Sequence, residues 1–147
     1  MDEQVEQLLL KARSQMLPEG GREEILRLLV NEAAEMWHGD VDAARLFADA
    51  WEREQVETTY VGMGLAVPHA RVEGLSRAGL YMAYSQAGIP WPHEEAHHIA
   101  LLIVPWENPE MHLQMLSRLV RWRHSLTEAE AQDKLMVSLD AAFTDML

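Results

Sequence analysis

Two segments of this chain carry residue types that could do chemistry. The first is WPHEEAHHIA, in which His93, Glu94 and His97 spell the HExxH pattern of zinc proteases. Two imidazoles at this spacing reach one zinc ion only from a helix, because residues i and i+4 share a helix face. The prolines before the pattern favour an extended backbone, and a strand-like apolar run follows it. We therefore predict a polar loop between two strands here, and no metal site.

The second segment is WEREQVETTYVGMGLAVPHAR, residues 51–71, which runs from a helix end through a glycine-containing stretch to a histidine. A neutral histidine, with an ordinary pKa of ~6.5, has a free ring nitrogen that can attack phosphorus, so His69 is a candidate nucleophile. Arg53 offers a planar fork of permanently charged donors that suits phosphate oxygens. A lone histidine in a loop is more often structural, and a lone arginine is more often a solvated charge. Neither residue alone therefore indicates a site.

A third candidate, His112, lies in the first turn of a predicted helix. Asn108 as cap and Pro109 at the first position open that helix, and His112 shares a face with Met115 and Leu119. The positive end of the helix dipole disfavours imidazolium and favours an anion, so a neutral His112 could donate one hydrogen bond to a phosphoryl group. Without further information, a satisfied core histidine is the more common explanation.

Periodic spacing predicts the helices that precede these segments. Apolar residues three and four apart indicate helices over residues 4–17, 22–39 and 41–54, the last of them capped by Asp40. The stretch LAVPHAR is strand-like. Alternation in RAGLYMAYSQ predicts another strand, and the unbroken apolar run 99–104 predicts a strand that is covered on both faces.

The carboxyl-terminal part is predicted to be helical. The helix that carries His112 is expected to end near residue 124, Thr127 with Glu130 forms a capping box for a further helix, and Ser138 begins a last short one. Helices, then strands, then helices indicate an α/β domain of stacked layers. The 147 residues are enough for one core, so we expect a single domain over residues 1–147, with a helical segment and turn at 1–21.

Composition excludes several classes of function. The formal net charge of −12 repels nucleic acid and anionic lipid, and favours a basic protein partner instead. The chain has no cysteine, so disulfides, thiolate metal sites and cysteine nucleophiles are excluded. No apolar run approaches the roughly 18 residues needed to span a bilayer. We expect a soluble cytoplasmic protein that is not embedded in a membrane.

The pattern RE..ET...G.G.A.PHAR, which ends at Arg71, resembles the active-site segment of a known family. The family is the fructose/mannitol class of IIA domains of the bacterial phosphoenolpyruvate-dependent phosphotransferase system, which includes the nitrogen-regulatory IIA proteins. The resemblance covers roughly residues 22–147, and PEMHLQMLSRL matches the family's later histidine-leucine helix. The histidine spacing and both glycines fall in register.

This resemblance implies a fold and a set of roles. The implied fold is a mixed β-sheet with helices on both faces, a three-layer α/β/α arrangement. His69 is implied to accept a phosphoryl group from the histidine phosphocarrier protein, with Arg53 and His112 as phosphate-side partners. Five residues of the motif are implied to support the phosphate site: Glu54, Thr59, Gly62, Gly64 and Pro68.

The onward step has two alternatives. His69 passes the phosphoryl group to a IIB component in sugar transport, or, as in a nitrogen-regulatory module, its phosphorylation controls binding to a target protein. No cofactor is implied in either case. Because the chain has no IIB-like cysteine, the acceptor is expected to be another molecule. Tyr60 and Val61 are bulkier than the family's usual residues before Gly62, and the sugar, the oligomeric state and the choice between transport and regulation are left open.

Overall fold

The computed structural model describes residues 12–16, 20–35, 41–75, 78–92 and 94–127. The helices and strands in chain order are β1 (Ala12–Met16), α1 (Arg22–Ala34), α2 (Ala43–Val56), β2 (Tyr60–Gly62), β3 (Leu65–Ala66), β4 (His69–Val72), β5 (Gly79–Trp91), β6 (Glu94–Pro105) and α3 (Pro109–Ser125).

Strands β5 and β6 form a long antiparallel hairpin at the centre of the sheet. β6 is apolar from Ile99 to Val104, and its successive side chains alternate between two buried clusters, as the period of a strand requires. Ile99, Leu101 and Ile103 join one cluster, and Ala100, Leu102 and Val104 join the other. The prediction of a strand that is covered on both faces is confirmed.

The rest of the sheet is built around this hairpin. The strand order is β1-β5-β6-β3-β2, and β4 also pairs with β6. β1 is parallel to β5, and β3 and β4 are both parallel to β6, whereas β2 is antiparallel to β3. Pro68 lies between β3 and β4 and has no amide hydrogen to donate, which suits a break between two short strands.

Helices cover both faces of the sheet. Apolar residues of α1 and α2, among them Leu26 and Phe47, pack on one face. Met115, Leu119 and Trp122 of α3 pack on the other. The predicted mixed sheet with helices on both faces is therefore confirmed as the fold class.

The amino-terminal prediction is wrong where the structure describes that region. Residues 12–16 form β1 instead of part of a helix over 4–17, and the rest of that predicted segment, residues 4–11 and residue 17, lies outside the described residues. β5 presents backbone donors and acceptors from Leu80 to Tyr84, and β1 pairs with them. This pairing joins residues far apart in sequence, so local spacing does not reveal it.

Two helix boundaries also differ from the prediction. The helix expected to reach Gly39 ends at Ala34, and residues 36–40 lie outside the described residues. The cap of α2 is Asp42, not Asp40. The carboxylate of Asp42 accepts a hydrogen bond from the Ala44 amide, with 3.0 Å between nitrogen and oxygen.

The segment HEEAHH was predicted to be a loop, and this is wrong for its described residues. β5 continues to Trp91 and β6 begins at Glu94, so only residues 92–93 separate the two strands. Cross-strand pairs from Ile89 with Ala96 to Trp91 with Glu94 extend the hairpin beyond the apolar run. Paired polar strands satisfy the backbone as well as a loop would, so polarity alone does not indicate a loop here.

The helix predicted from Asn108 is confirmed as α3, with Asn108 at the cap and Pro109 in the first turn. The predicted helices after Thr127 lie outside the described residues. Among the described helices, none has the length and apolar character that a membrane span requires.

Candidate functional site

His69 begins the short strand β4. In the parallel ladder it is level with Leu102 of β6, whose side chain packs on the face covered by α3. The ring nitrogen Nδ1 of His69 lies 3.4 Å from the Val67 carbonyl oxygen. A carbonyl can only accept a hydrogen bond, so this contact favours the tautomer with the proton on Nδ1. Nε2 then keeps a free lone pair, as a nucleophile requires.

His112 approaches the same ring from the other layer. It lies in the first turn of α3, between the buried residues Met111 and Met115 that anchor the helix in the core. The His69 and His112 ring centroids are 3.9 Å apart, with 27° between the ring planes. The two histidines are therefore stacked, although more than forty residues separate them in sequence.

The surroundings keep both rings neutral at pH 7. Burial is the main cause that lowers the pKa of His69; the charges of Arg53 and Arg71 lower it further, and the Val67 contact and Asp49 oppose the shift. Burial, again the largest cause, together with His69, Arg71 and Arg53 lowers the pKa of His112 to about 4. Two stacked imidazolium ions would repel each other in this half-buried position, and the neutral state avoids that cost.

Arg53 reaches the site from the last turn of α2. Its Nε lies 3.4 Å from Oδ2 of Asp49, one helical turn earlier. The same oxygen accepts the backbone amide of Arg71 at 3.1 Å. Asp49 thus fixes Arg53 and also holds the outer edge of β4, where Arg71 would otherwise have an unpaired amide.

These residues line one open pocket of about 510 Å³. The sequence candidates that the structure brings together there are Arg53, Thr59, His69 and His112. The pocket also contains the side chains of Asp49, Glu52, Val56, Glu57, Thr58, Val61, Val67 and Leu116. An open pocket with a free ring nitrogen, a neutral second imidazole and a guanidinium has the parts needed to bind and transfer an anionic group.

Glu54 lies behind the pocket instead of in it. Its buried carboxylate accepts from Trp91 Nε1 at 2.6 Å, from the Thr59 amide at 3.1 Å and from the Thr59 hydroxyl at 2.5 Å. The Thr58 hydroxyl donates to it at 3.2 Å, and Arg22 lies 3.8 Å away. Glu54 therefore ties the threonine segment at the edge of the pocket to α1 and β5.

The remaining motif residues, Gly62, Gly64 and Pro68, determine the path of the backbone instead of lining the pocket. Gly62 and Gly64 have positive φ angles of 103° and 76° in the β2–β3 turn, and neither lines the pocket. A side chain at Gly64 would also meet His97. Pro68 is buried, and its carbonyl oxygen accepts the Leu102 amide at 2.9 Å. These positions shape the chain that carries His69, and they do not contact the space in front of it.

Two residues were missed from the sequence: Asp49, which lines the pocket, and Arg71, which lines a neighbouring cavity. Asp49 precedes Arg53 by four residues on a helix, a spacing that predicts an ion pair. Arg71 follows His69 by two residues, a spacing that places both side chains on one face of a strand. Both spacings are present in the sequence, but their significance depends on the pairing of β4 with β6 and on the packing of α2 beside β4.

From Glu94 onward the HExxH segment is part of β6, so for its described residues the prediction that it is not a helix is confirmed. Nδ1 of His97 lies 2.9 Å from the Ser85 carbonyl oxygen, whereas His98 is buried against Tyr84 and Trp122. Within the described residues, no three histidine or carboxylate side chains are grouped so that they could hold a metal ion.

Comparison with known proteins places this geometry in a family. The chain is 32% identical over 123 residues to the PTS system fructose-specific EIIA component of Haloferax volcanii. The matched region covers 81% of this chain and 77% of that protein. It is 27% identical over 135 residues to a nitrogen regulatory protein of Pseudomonas aeruginosa, with coverage of 89% and 85%. It also matches multiphosphoryl transfer protein 2 of Escherichia coli at 31% identity over 98 residues, 62% of this chain, but spans only 12% of that protein.

Solved structures share the fold. The nitrogen regulatory protein IIA-Ntr of Neisseria meningitidis superimposes with a TM-score of 0.73 at 20% identity, over 95% of this chain and 97% of that one. Enzyme IIA-Mtl of Escherichia coli, solved in complex with phosphorylated enzyme IIB-Mtl, gives 0.68 at 16% identity, over 90% and 99%. Residues 10–144 match the family described as "Phosphoenolpyruvate-dependent sugar phosphotransferase system, EIIA 2", and the chain therefore belongs to that family.

Proposed function

We propose that this protein is a phosphohistidine carrier, which accepts a phosphoryl group on His69 from the histidine phosphocarrier protein and passes it to a IIB component. The observation that carries the proposal is the stacking of His69 and His112 at 3.9 Å in a pocket that Arg53 also lines. The neutral, unprotonated Nε2 of His69 supplies the nucleophile. Family membership and the absence of a membrane-spanning helix among the described residues support a cytoplasmic phosphotransfer component.

The transfer step needs no cofactor. The Nε2 lone pair of His69 forms a bond to phosphorus as the bond between phosphorus and the donor's histidine nitrogen breaks, and the donor nitrogen recovers that electron pair. The proton on Nδ1 stays in place, facing the Val67 carbonyl. In the onward step the nucleophile of the acceptor attacks phosphorus and Nε2 of His69 takes its electron pair back. A labile nitrogen–phosphorus bond suits relay between proteins.

Arg53 and His112 stabilise the charge of the transferring group. That charge lies on three equatorial oxygens in the transition state, and fixed donors directed at them lower the barrier. Arg53 is held by Asp49, so its guanidinium is in place before the partner arrives. His112, kept neutral by burial, donates a hydrogen bond without competing for the phosphoryl group.

The direct test is phosphorylation by the general components of the system. Incubation with phosphoenolpyruvate, enzyme I and the histidine phosphocarrier protein is expected to add one acid-labile phosphate, measured on the intact protein by mass spectrometry. His69→Ala is expected to abolish the label. His97→Ala is the matched control, since it removes an imidazole outside the pocket, and is expected to retain the label. A His69→Ala protein that still accepts phosphate would overturn the assignment.

A second candidate is a regulatory module in which the phosphorylated protein controls a target instead of passing the group onward. Its support is the similarity to the nitrogen regulatory protein of Pseudomonas aeruginosa, which extends over 89% of this chain. Adding a IIB protein from the same organism to the labelled carrier separates the two. Movement of the phosphate to IIB supports transport. Label that remains on His69 while affinity for a target protein changes supports regulation.

A further inference from the structure

The described pocket has too few positive charges for the group it is proposed to hold. Its lining contains three carboxylates, those of Asp49, Glu52 and Glu57, and one guanidinium, that of Arg53. A phosphoryl group carries about −1.5 to −2 at neutral pH. Placing it here with a single cation, itself engaged with Asp49, would bring like charges together. A further positive group close to His69 would balance that charge.

Arg71 is in the position to supply it. It follows His69 by two residues on β4, so the two side chains leave the same face of the strand. Its backbone amide is fixed by the same Asp49 oxygen that contacts Arg53. Its charge is also near enough to lower the pKa of both His69 and His112.

The side chain of Arg71 has spare hydrogen-bonding capacity. Its guanidinium carbon lies 5.4 Å from the ring centroid of the half-exposed Trp106, at a second cavity that shares Asp49 with the phosphoryl pocket. Its Nε is buried and has no hydrogen-bond partner among the described residues. A buried donor without a partner is costly, and an arginine stacked on an exposed ring can turn away from it at little cost.

We infer that Arg71 is a second phosphoryl-binding residue, which turns from Trp106 towards His69 when the phosphoryl group arrives. This inference rests on the proposed function and adds a specific residue to it. Arg53 and Arg71 would then contact the phosphoryl oxygens from α2 and β4, while His112 contacts them from α3. Three elements would share the group, and its charge would be neutralised in both the transition state and the phosphorylated protein.

The test compares Arg71→Gln and Arg71→Lys with Arg45→Gln, which removes an exposed arginine that lines the neighbouring cavity and not the phosphoryl pocket. Each protein is phosphorylated with two donors, the phosphorylated histidine phosphocarrier protein and the small molecule phosphoramidate. The label is followed by phosphorus NMR as a function of pH. Proton NMR of the free proteins gives the pKa values of His69 and His112 and shows whether each variant is folded.

Arg71→Gln is expected to slow labelling by both donors by about tenfold and to raise the pKa of the bound phosphoryl group by about 1, because a charged donor has been lost. The pKa of both histidines is expected to rise. Arg71→Lys should recover part of each effect, and Arg45→Gln should resemble wild type.

Three results would overturn the inference. One is an Arg71→Gln protein with wild-type labelling and an unchanged phosphoryl pKa. Another is slower labelling by the protein donor alone, because that would place Arg71 at the partner's surface. A third is equal effects of Arg45→Gln and Arg71→Gln. If wild type itself takes no phosphate on His69, the proposed function fails, and the inference fails with it; a labelled wild type isolates the role of Arg71.

Discussion

Two pairs of histidines in this protein differ in whether their side chains lie together. His97 and His98 are adjacent in sequence, but they lie on strand β6, where successive side chains point to opposite faces. His97 lies 3.9 Å from the carboxylate of Glu95, and His98 is buried beside Trp122. His69 and His112 are far apart in sequence, yet their rings stack.

Two histidines can therefore act on one ligand when their helix and strand pack together, even if they are far apart in sequence. Adjacent positions in the sequence do not ensure this. The stacked pair joins a strand from the sheet with the first turn of a helix that covers it, next to the guanidinium of Arg53. In the pair on β6, His97 is the more accessible residue, and the neighbouring carboxylate of Glu95 repels phosphate. Four experiments test how far this difference extends.

The largest expected effect is on Arg53, which provides the positive charge that the β6 pair lacks. Arg53→Gln is expected to slow phosphorylation of His69 by about 10²-fold or more, because one fixed donor to the transferring group is lost. Arg53→Lys should recover only part of the rate, since an ammonium cannot make a forked contact. Single-turnover labelling measures both. Equal rates for wild type and Arg53→Gln would show that the guanidinium takes no part.

The next effect separates the two pairs directly. His112→Ala is expected to lower the transfer rate by about 10-fold or more while the fold is retained, because it removes a hydrogen-bond donor at the pocket. His98→Ala is expected to do the reverse: labelling remains, but unfolding becomes easier by about 2 kcal/mol, since a buried ring is replaced by a cavity. Urea unfolding and labelling of both variants provide the measurement. If both variants lose labelling, or both lose stability, the proposed difference between the two histidine pairs is wrong.

A third experiment concerns the support behind the pocket. Glu54→Ala is expected to destabilise the protein by about 2–4 kcal/mol, because the Trp91 and Thr59 donors lose a buried partner. Glu57→Ala, at an exposed carboxylate on the pocket lining, is the control and should change stability by less than about 0.5 kcal/mol. Thermal unfolding of the two variants decides it. Matching melting temperatures would mean that the Glu54 contacts contribute little.

The smallest effect is a pH dependence that follows from the stacked pair. Burial lowers the pKa of both rings, that of His112 to about 4, so the unfolded chain binds protons more readily than the folded one as pH falls below roughly 6.5. Stability is therefore expected to decrease from pH 6.5 towards 4. His112→Gln should make that decrease shallower, as measured by urea unfolding at several pH values. An identical slope would assign the acid sensitivity to other groups.

Much of the fold could be predicted because several elements have strong local patterns. Pro109 and the spacing of Met115 and Leu119 indicate α3, and the run from Ile99 to Val104 indicates a strand buried on both faces. β1 was missed because its partner β5 is remote in sequence, and the length of the hairpin was missed because its outer part is polar.

The site shows the same division. Arg53, His69 and His112 could be identified as candidates from residue chemistry and family resemblance, and the structure brings them together. Asp49 and Arg71 were missed, because their importance depends on one carboxylate reaching both a helical side chain and a strand edge. Glu54 was identified, but spacing alone did not indicate that it faces the core and not the pocket.

Because Asp49 contacts both Arg53 and the Arg71 amide, hydrogen exchange at that amide can be used to follow the position of Asp49. The amide hydrogen exchanges with deuterated solvent only when the carboxylate releases it, and the same carboxylate positions Arg53. The exchange rate at this single amide therefore reports how often Asp49 leaves the edge of β4, the position from which it also contacts Arg53. The resting pocket can be monitored in this way without labelling or altering either histidine.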